Sequence, residues 1–333
     1  MGTAPLEGAG MITGLLLVMA AITLDDAPSR QQVLVVVGAD GTPEYGEMFR
    51  EWSARWELAA QQADAAFSTV GLDARGDTTD RDLLQRKLKE AAAAASEEPF
   101  WLVLIGHGTF DTRTSRFNLR GPDVNATQLA EWTKPIQRPL VVINCASASG
   151  PFINALSGPN RVVVTSTKSG FQHNFSRFGN FMSTAITDPA ADLDKDDQTS
   201  LLEAFLYASA QVAEFYEQES RLATEHALID DTGDALGTPA DWFRGVRAVR
   251  VAKSGAASDG LRANQLCLLR SDREKLLSPE VRTRRDGLEL QIATLRTRKS
   301  QLLEDDYYQQ LESLFVELAR LYASTESPAD AAE

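Results

Sequence analysis

The chain has 333 residues, of which 43% are hydrophobic and 24% are charged, so it is neither collagen-like, nor wholly disordered, nor a multi-span membrane protein. Its 47 acidic and 33 basic residues leave a formal charge of −14, which repels phosphate backbones, and we expect no nucleic-acid partner. The two cysteines, Cys145 and Cys267, exclude a disulfide framework and an all-cysteine zinc site. Thiol or imidazole chemistry must therefore use these cysteines or the three histidines, His107, His173 and His226.

The first 30 residues contain an apolar run at positions 11–24. This run is shorter than the roughly 20 residues that a membrane-spanning helix needs, but it suits the hydrophobic part of an export signal. The basic residues that usually precede such a signal are missing. If the run is a signal, the protein is exported or tethered to a membrane through this segment alone; otherwise it is cytoplasmic.

Residues 31–253 alternate between apolar strand patterns and helical patterns, which is typical of a parallel sheet covered on both faces. The sequence therefore predicts a three-layer α/β domain with a mostly parallel central sheet. In the first helix, Phe49, Trp52 and Trp56 recur at helical spacing and are expected in the core. The predicted strands cover residues 33–37, 65–70, 100–105, 140–143 and 161–165, and the predicted helices cover 45–66, 80–95 and 200–216.

Residues 254–324 have a different pattern and predict a C-terminal helical extension. Ser278 and Pro279 are typical of a helix start, and the apolar pattern is interrupted near Asp305, which favours a helical hairpin or two consecutive helices over one unbroken coiled coil. We expect such an appendage to serve in self-association or in docking of a partner. Cys267 is expected in the core of a helix, and residues 325–333 are expected to be a disordered tail.

Two chemically reactive residues follow neighbouring predicted strands. His107 lies between Gly106 and Gly108 after one strand, and Cys145 follows the next. Because ligands bind outside the carboxyl ends of parallel strands, we expect both side chains at one edge of the sheet. A thiolate is a strong nucleophile, and an imidazole can exchange the protons of its reaction. The N–H groups of Gly108 and Cys145 are candidate donors to an oxyanion.

An apolar strand ending in His-Gly, followed by an apolar strand ending in Asn144-Cys145, resembles the catalytic core of the caspase and legumain superfamily of cysteine peptidases, over residues 33–245. The resemblance implies a caspase-like fold and endopeptidase activity on a protein or peptide substrate. By the same resemblance His107 is the acid and base, Cys145 is the nucleophile, Gly108 is an oxyanion donor, and no cofactor takes part in the chemistry.

The resemblance extends to residues 161–170, which are similar to the strand that walls the specificity pocket in legumain-like enzymes. Ile143 stands where legumains carry an acidic residue, so the residue after which the substrate is cleaved stays open. The candidate pocket residues are Asn144, Ser166, Lys168 and His173.

A second interpretation needs no catalysis. A cysteine after an apolar strand is often a small buried hydrophobic residue, and a histidine between two glycines can simply form a turn. The chain is then an inactive caspase-like binding or scaffold module that acts through its helical extension.

An acidic stretch begins at Asp192 and matches the ligand spacing of the twelve-residue EF-hand loop, which predicts a calcium site. Asp197 stands where that loop needs a glycine. An alternative without calcium is a capping box formed by Ser200 and Glu203 at the start of the next helix. The candidate ligands are Asp192, Asp194, Asp196, Gln198 through its carbonyl, and Glu203.

Overall fold

The computed structural model describes residues 1–2, 30–74, 76–250 and 258–324. The apolar run at 11–24, the domain boundary predicted after residue 253, and the tail at 325–333 lie outside these ranges. None of the helices in the described ranges combines the length and the apolar character needed to cross a membrane.

A seven-stranded sheet forms the middle of the domain. Its strand order is β10-β9-β8-β7-β3-β1-β2, in which the pairs from β2 to β8 are parallel and those of β9 are antiparallel. A three-stranded sheet of β4, β5 and β6 and a hairpin of β11 and β12 lie beside it. The strands are β1 Gln32–Val37, β2 Ala66–Val70, β3 Phe100–Ile105, β4 Gly108–Phe110, β5 Ser115–Phe117, β6 Val124–Asn125, β7 Leu140–Asn144, β8 Arg161–Thr165, β9 Leu228–Asp230, β10 Thr238–Pro239, β11 Phe243–Arg244 and β12 Arg247–Ala248.

Helices cover both faces of the large sheet, which confirms the predicted three-layer α/β arrangement. One buried cluster joins one face to α1, α5 and α6, and the other joins the opposite face to α2, α3 and α4. Alternate residues of β3 enter alternate clusters, as strand geometry requires. The helices are α1 Pro43–Gln62, α2 Asp80–Ala93, α3 Ala126–Thr133, α4 Pro151–Leu156, α5 Phe178–Ala185, α6 Leu201–Gln218, α7 Leu261–Gln265, α8 Asp272–Lys275, α9 Pro279–Thr297 and α10 Glu304–Ala323.

Polar side chains set several helix starts as the sequence predicts. The Thr79 hydroxyl accepts from the N–H of Asp82 before α2, and Ser278 caps α9 in the same way. Ser200 forms the predicted capping box with Glu203 at the start of α6. The helical placement of Cys267 is wrong: α7 ends at Gln265, and Cys267 is extended because it pairs with Ser200 as an isolated antiparallel bridge.

The C-terminal extension is anchored at the amino edge of the large sheet. The side-chain amide of Gln31 donates to the carbonyls of Cys267 and Leu268, at 3.2 and 3.0 Å. The buried Glu98, just before β3, forms ion pairs with Arg270 and with Arg282, the latter at 2.8 Å. Helices α8, α9 and α10 therefore follow a segment that is bonded directly to the sheet.

Glu98→Ala tests this anchoring. It leaves Arg270 and Arg282 without their shared carboxylate, and removing one partner of a buried ion pair costs about 3 kcal/mol or more. We expect that loss of unfolding free energy in a denaturant titration. Glu97→Ala, a change of the exposed preceding residue, is the control and should leave stability within about 0.5 kcal/mol. Equal stability of the two variants would contradict the anchoring role.

Candidate active site

His107 lies at the point where the strand order of the sheet reverses. Strands β1 and β3 are neighbours, and the chain continues from β1 to β2 on one side of this pair and from β3 to β7 on the other. Open parallel sheets bind ligands at such a reversal of the strand order. The Nε2 atom of His107 is 3.2 Å from the carbonyl oxygen of Asp40, which follows β1. Its ring packs against the rings of Tyr45, Phe49 and Phe175, with centroid distances of 4.8, 5.3 and 5.9 Å. The imidazole is thus held in one orientation at the expected edge.

Cys145 follows β7, the strand on the other side of β3. Its N–H donates to the carbonyl of Leu104 at 2.9 Å, which continues the strand pairing, and only 1% of the residue is exposed. Helix α5 covers it through Gly179. An atom at the Cβ position of Gly179 would be 2.9 Å from Cβ of Cys145 and 2.8 Å from Cζ3 of Trp52. Only a glycine lets the helix approach so closely.

The two candidate catalytic residues share one face of the sheet. The ring of Phe49 contacts His107 and lies 5.6 Å from the ring of Trp52, which borders Cys145 and Gly179. Within the described residues, no hydrogen bond joins the Sγ of Cys145 to His107. Cys145 and His107 therefore follow neighbouring strands on one face of the sheet, and the hydrogen bond that proton transfer needs is not made between them in this conformation.

The surroundings of Cys145 keep its thiol neutral. Burial raises the pKa of the thiol far above its usual range, and the negative charge of Glu225 adds to the effect. An activated cysteine has the opposite environment, with a cation or an imidazolium that lowers the pKa. A reactive thiolate thus requires a change in the position of this side chain or of the groups over it.

Both predicted oxyanion donors already have acceptors. The N–H of Gly108 donates to the Oγ of Ser147 at 3.2 Å, and that hydroxyl donates to the carbonyl of Gly108 at 3.1 Å. The N–H of Cys145 belongs to the strand pairing with Leu104. A substrate oxyanion would have to displace these acceptors.

The candidate pocket residues divide into a buried pair and an exposed pair. The side chain of Asn144 accepts from the N–H of Ala146 at 3.1 Å, and Ser166 donates to the carbonyl of Ala146 at 2.7 Å. Both residues are almost fully buried, whereas Lys168 and His173 are exposed. The structure therefore does not bring all four onto one surface.

Sequence reasoning missed the part that Glu225 plays near this site. In the fold, its carboxylate is buried and accepts from the N–H groups of Arg177 and Phe178, at the start of α5. Nothing local in the sequence distinguishes it from an exposed glutamate, because its partners lie about fifty positions earlier in the chain.

The acidic loop brings three of its predicted calcium ligands together. Carboxylate oxygens of Asp192, Asp194 and Asp196 lie within 4.8 Å of one another. Burial, followed by the charges of Glu203, Asp196 and Asp192, raises the pKa of Asp194 to about 6. Asp197 adopts the left-handed conformation, with φ of 68°, where the EF-hand loop has its glycine.

Glu203 has a different set of partners from the other candidate ligands. One of its carboxylate oxygens accepts from the N–H groups of Leu193 and Asp194, at 2.8 and 3.2 Å. The other accepts from the N–H and the hydroxyl of Ser200, both at 2.8 Å. The capping box and the acidic loop are therefore both present and share this carboxylate. The side-chain amide of Gln198 donates to Asp196 at 3.0 Å.

No family model matches the chain, and no curated protein matches it. Among solved structures it is similar to the Drosophila initiator caspase Dronc, with 15% identity and a TM-score of 0.43, over 62% of this chain and 80% of that one. It is similar to caspase-1 from Spodoptera frugiperda, with 9% identity and a TM-score of 0.40, over 61% of this chain and 86% of that one. It is also similar to Chaetomium thermophilum Raptor, with 8% identity and a TM-score of 0.35, over 49% of this chain and 18% of that one.

Gly179→Ala tests the closure of α5 over Cys145. The added methyl group would lie within 3 Å of Trp52 and Cys145, and overpacking of this kind costs about 1–3 kcal/mol of unfolding free energy. The matched control is Gly287→Ala in α9, where no atom lies within 4 Å of the new methyl group. That change should stabilise the helix by about 0.5–1 kcal/mol. Equal free energies for the two variants in urea titrations would contradict the close packing.

Proposed function

We propose that the protein is a cysteine endopeptidase in which Cys145 is the nucleophile and His107 is the acid and base. The proposal is carried by one observation: the histidine at the reversal point of the sheet and the cysteine on the adjacent strand share a face and an edge. A peptide laid along this edge would meet both.

The chemistry follows from the two groups. His107 takes the proton of the thiol, the sulfur attacks the carbonyl carbon of the peptide, and the protonated imidazole gives its proton to the departing amine. Water then hydrolyses the thioester and restores the thiol. Because Cys145 is covered by α5 and both oxyanion donors have acceptors, the conformation described here is the closed state of this site, which must open before catalysis.

A peptide library tests the activity and its specificity together. We expect the wild type to cleave a subset of peptides, and Cys145→Ala and His107→Ala to lose this cleavage by at least about a thousandfold, because groups that act as a unit fail together. Cys267→Ala is the matched control, since it removes the other buried cysteine and should keep the activity. Absence of cleavage by the wild type, or cleavage that survives in Cys145→Ala, would contradict the proposal.

The closed thiol favours a second candidate function. If Cys145 stays buried, the domain is an inactive caspase-like module that binds partners through its helical extension. Helix α10 contributes a candidate surface, since Phe315 and Val316 are 43% and 39% exposed on it. A self-associating copy or a partner helix would cover these side chains. Labelling of Cys145 by a peptide-based thiol probe separates the two functions: dependence on His107 supports the peptidase, and independence supports the module.

We also propose that the loop from Asp192 to Glu203 binds Ca²⁺. Oxygen ligands at EF-hand spacing and the left-handed Asp197 support this. Burial, followed by repulsion from the neighbouring carboxylates, raises the pKa of Asp194, and a divalent cation would favour the ionised form of this carboxyl.

Thermal unfolding tests the loop and has a defined pH dependence. The folded protein holds a proton on Asp194 up to about pH 6, whereas the unfolded chain releases it near pH 4, so without calcium stability falls as the pH rises between these values. Calcium needs the ionised carboxylates, so its addition should raise Tm more at about pH 7.5 than at about pH 5. Asp194→Asn should abolish this increase and the exposed Asp305→Asn should keep it. A Tm that calcium leaves unchanged at both pH values would contradict the site.

A further inference from the structure

A single buried carboxylate anchors the segment that covers the candidate site. Glu225 is 3% exposed. Its oxygens accept from the hydroxyl of Ser176 at 2.6 Å, from the N–H groups of Arg177 at 2.9 Å and Phe178 at 3.1 Å, and from the hydroxyl of Tyr216 at 3.3 Å. Helix α5 has no side-chain cap from its own N-terminal residue, so this distant glutamate takes that role.

The segment that Glu225 holds touches both candidate catalytic residues. Phe175, one position before Ser176, packs on the ring of His107. Gly179, one position after Phe178, lies against Cys145. The anchored residues 176–178 thus connect the two contacts that close the site. A shift of this short segment would uncover the thiol and free one face of the imidazole together.

The anchor is strong but is attached to a loosely packed part of the chain. Burying a carboxylate is costly unless hydrogen bonds compensate it, and burial raises the pKa of Glu225. Among the described residues, no salt bridge includes this carboxylate. The connecting segment before it is irregular and exposed, with Leu222 at 91%. Loss of the carboxylate therefore releases the start of α5 without removing a large part of the core.

We propose that Glu225 is a positioning residue that keeps the dyad of Cys145 and His107 closed, by holding residues 175–179 over both side chains. Opening of this anchor gives the thiol access to solvent and to a peptide. The inference rests on the proposed function because it concerns access to Cys145 and His107. The anchor itself is defined by the hydrogen bonds of Glu225 and does not require that the protein cleaves peptides.

Site-resolved alkylation tests the proposal in the full chain. Iodoacetamide is added under native conditions, and modification of Cys145 and Cys267 is followed separately by mass spectrometry. Cys267 is buried in another part of the fold and serves as the internal reference. In Glu225→Gln the side-chain NH2 group faces N–H groups that need an acceptor, so the anchor is weakened. Cys145 should then react at least about tenfold faster than in the wild type. The rate at Cys267 should stay unchanged.

The matched control is Glu219→Gln, the same substitution at an exposed position of the same connecting segment. It should leave both alkylation rates at the wild-type values. If Cys145 and Cys267 accelerate equally in Glu225→Gln, the glutamate acts only on global stability and the proposal is wrong. It is equally wrong if neither rate changes.

Ser176→Ala keeps the test decisive if Glu225→Gln does not fold. It also separates opening of the segment from loss of the Glu225 charge, which itself raises the pKa of the Cys145 thiol. Ser176→Ala removes the donor at 2.6 Å and leaves the carboxylate and its other partners in place. We expect faster alkylation at Cys145 alone, with a smaller increase than in Glu225→Gln. An unchanged rate at Cys145 in folded Ser176→Ala would overturn the proposal.

Peptide cleavage by the same variants separates the two hypotheses. Faster alkylation of Cys145 without cleavage in any variant would support the anchor and overturn the peptidase. Cleavage by the wild type together with unchanged alkylation in the variants would support the peptidase and overturn the anchor.

Discussion

The pairing of β3 between β1 and β7 is the constraint on which the rest of the molecule depends. All six residues of β3 are buried, because each face of the strand packs under a separate layer of helices. A slip of one position would exchange the faces of every side chain, so the register is strongly specified. It sets Leu104 beside Asn144, and it thereby brings His107 and Cys145 to one edge and one face. The candidate chemistry is a consequence of this register.

The sequence predicted the sheet well because its strands are continuous apolar runs. Continuous apolar runs such as 33–37 and 100–105 suit a sheet that helices cover on both faces. Each of these strands begins and ends within one residue of its predicted bounds. The aromatic residues Phe49 and Trp52 were expected in the core, and they are buried there. Their contacts around His107 and Cys145 depend on the distance between a helix and a sheet, which periodicity does not encode.

The strand ends that form the candidate site were predictable from the sequence, but the burial of Cys145 was not. The rule for carboxyl ends of parallel strands places His107 and Cys145 correctly at the edge. The rule does not predict whether each of these side chains is exposed or buried. The closure over Cys145 depends on Gly179 and on Glu225, and the N–H of Gly108 is occupied by Ser147, all through long-range contacts. The prediction that Cys267 lies in a helix was wrong for a similar reason, because its pairing with Ser200 overrides the local helix preference.

The anchoring of the extension at the amino edge has a consequence for the order of folding. Glu98 and its partner Arg270 are 172 positions apart, and Gln31 is separated by 236 from Cys267, whose carbonyl it binds. A chain emerging from the ribosome completes β1, β3, β7 and β8 long before those partners are made. Until then the carboxylate of Glu98 lacks its two arginine partners, and the side-chain NH2 of Gln31 lacks its two carbonyl acceptors. The nascent domain therefore lacks these bonds until residues 267–282 have been synthesised.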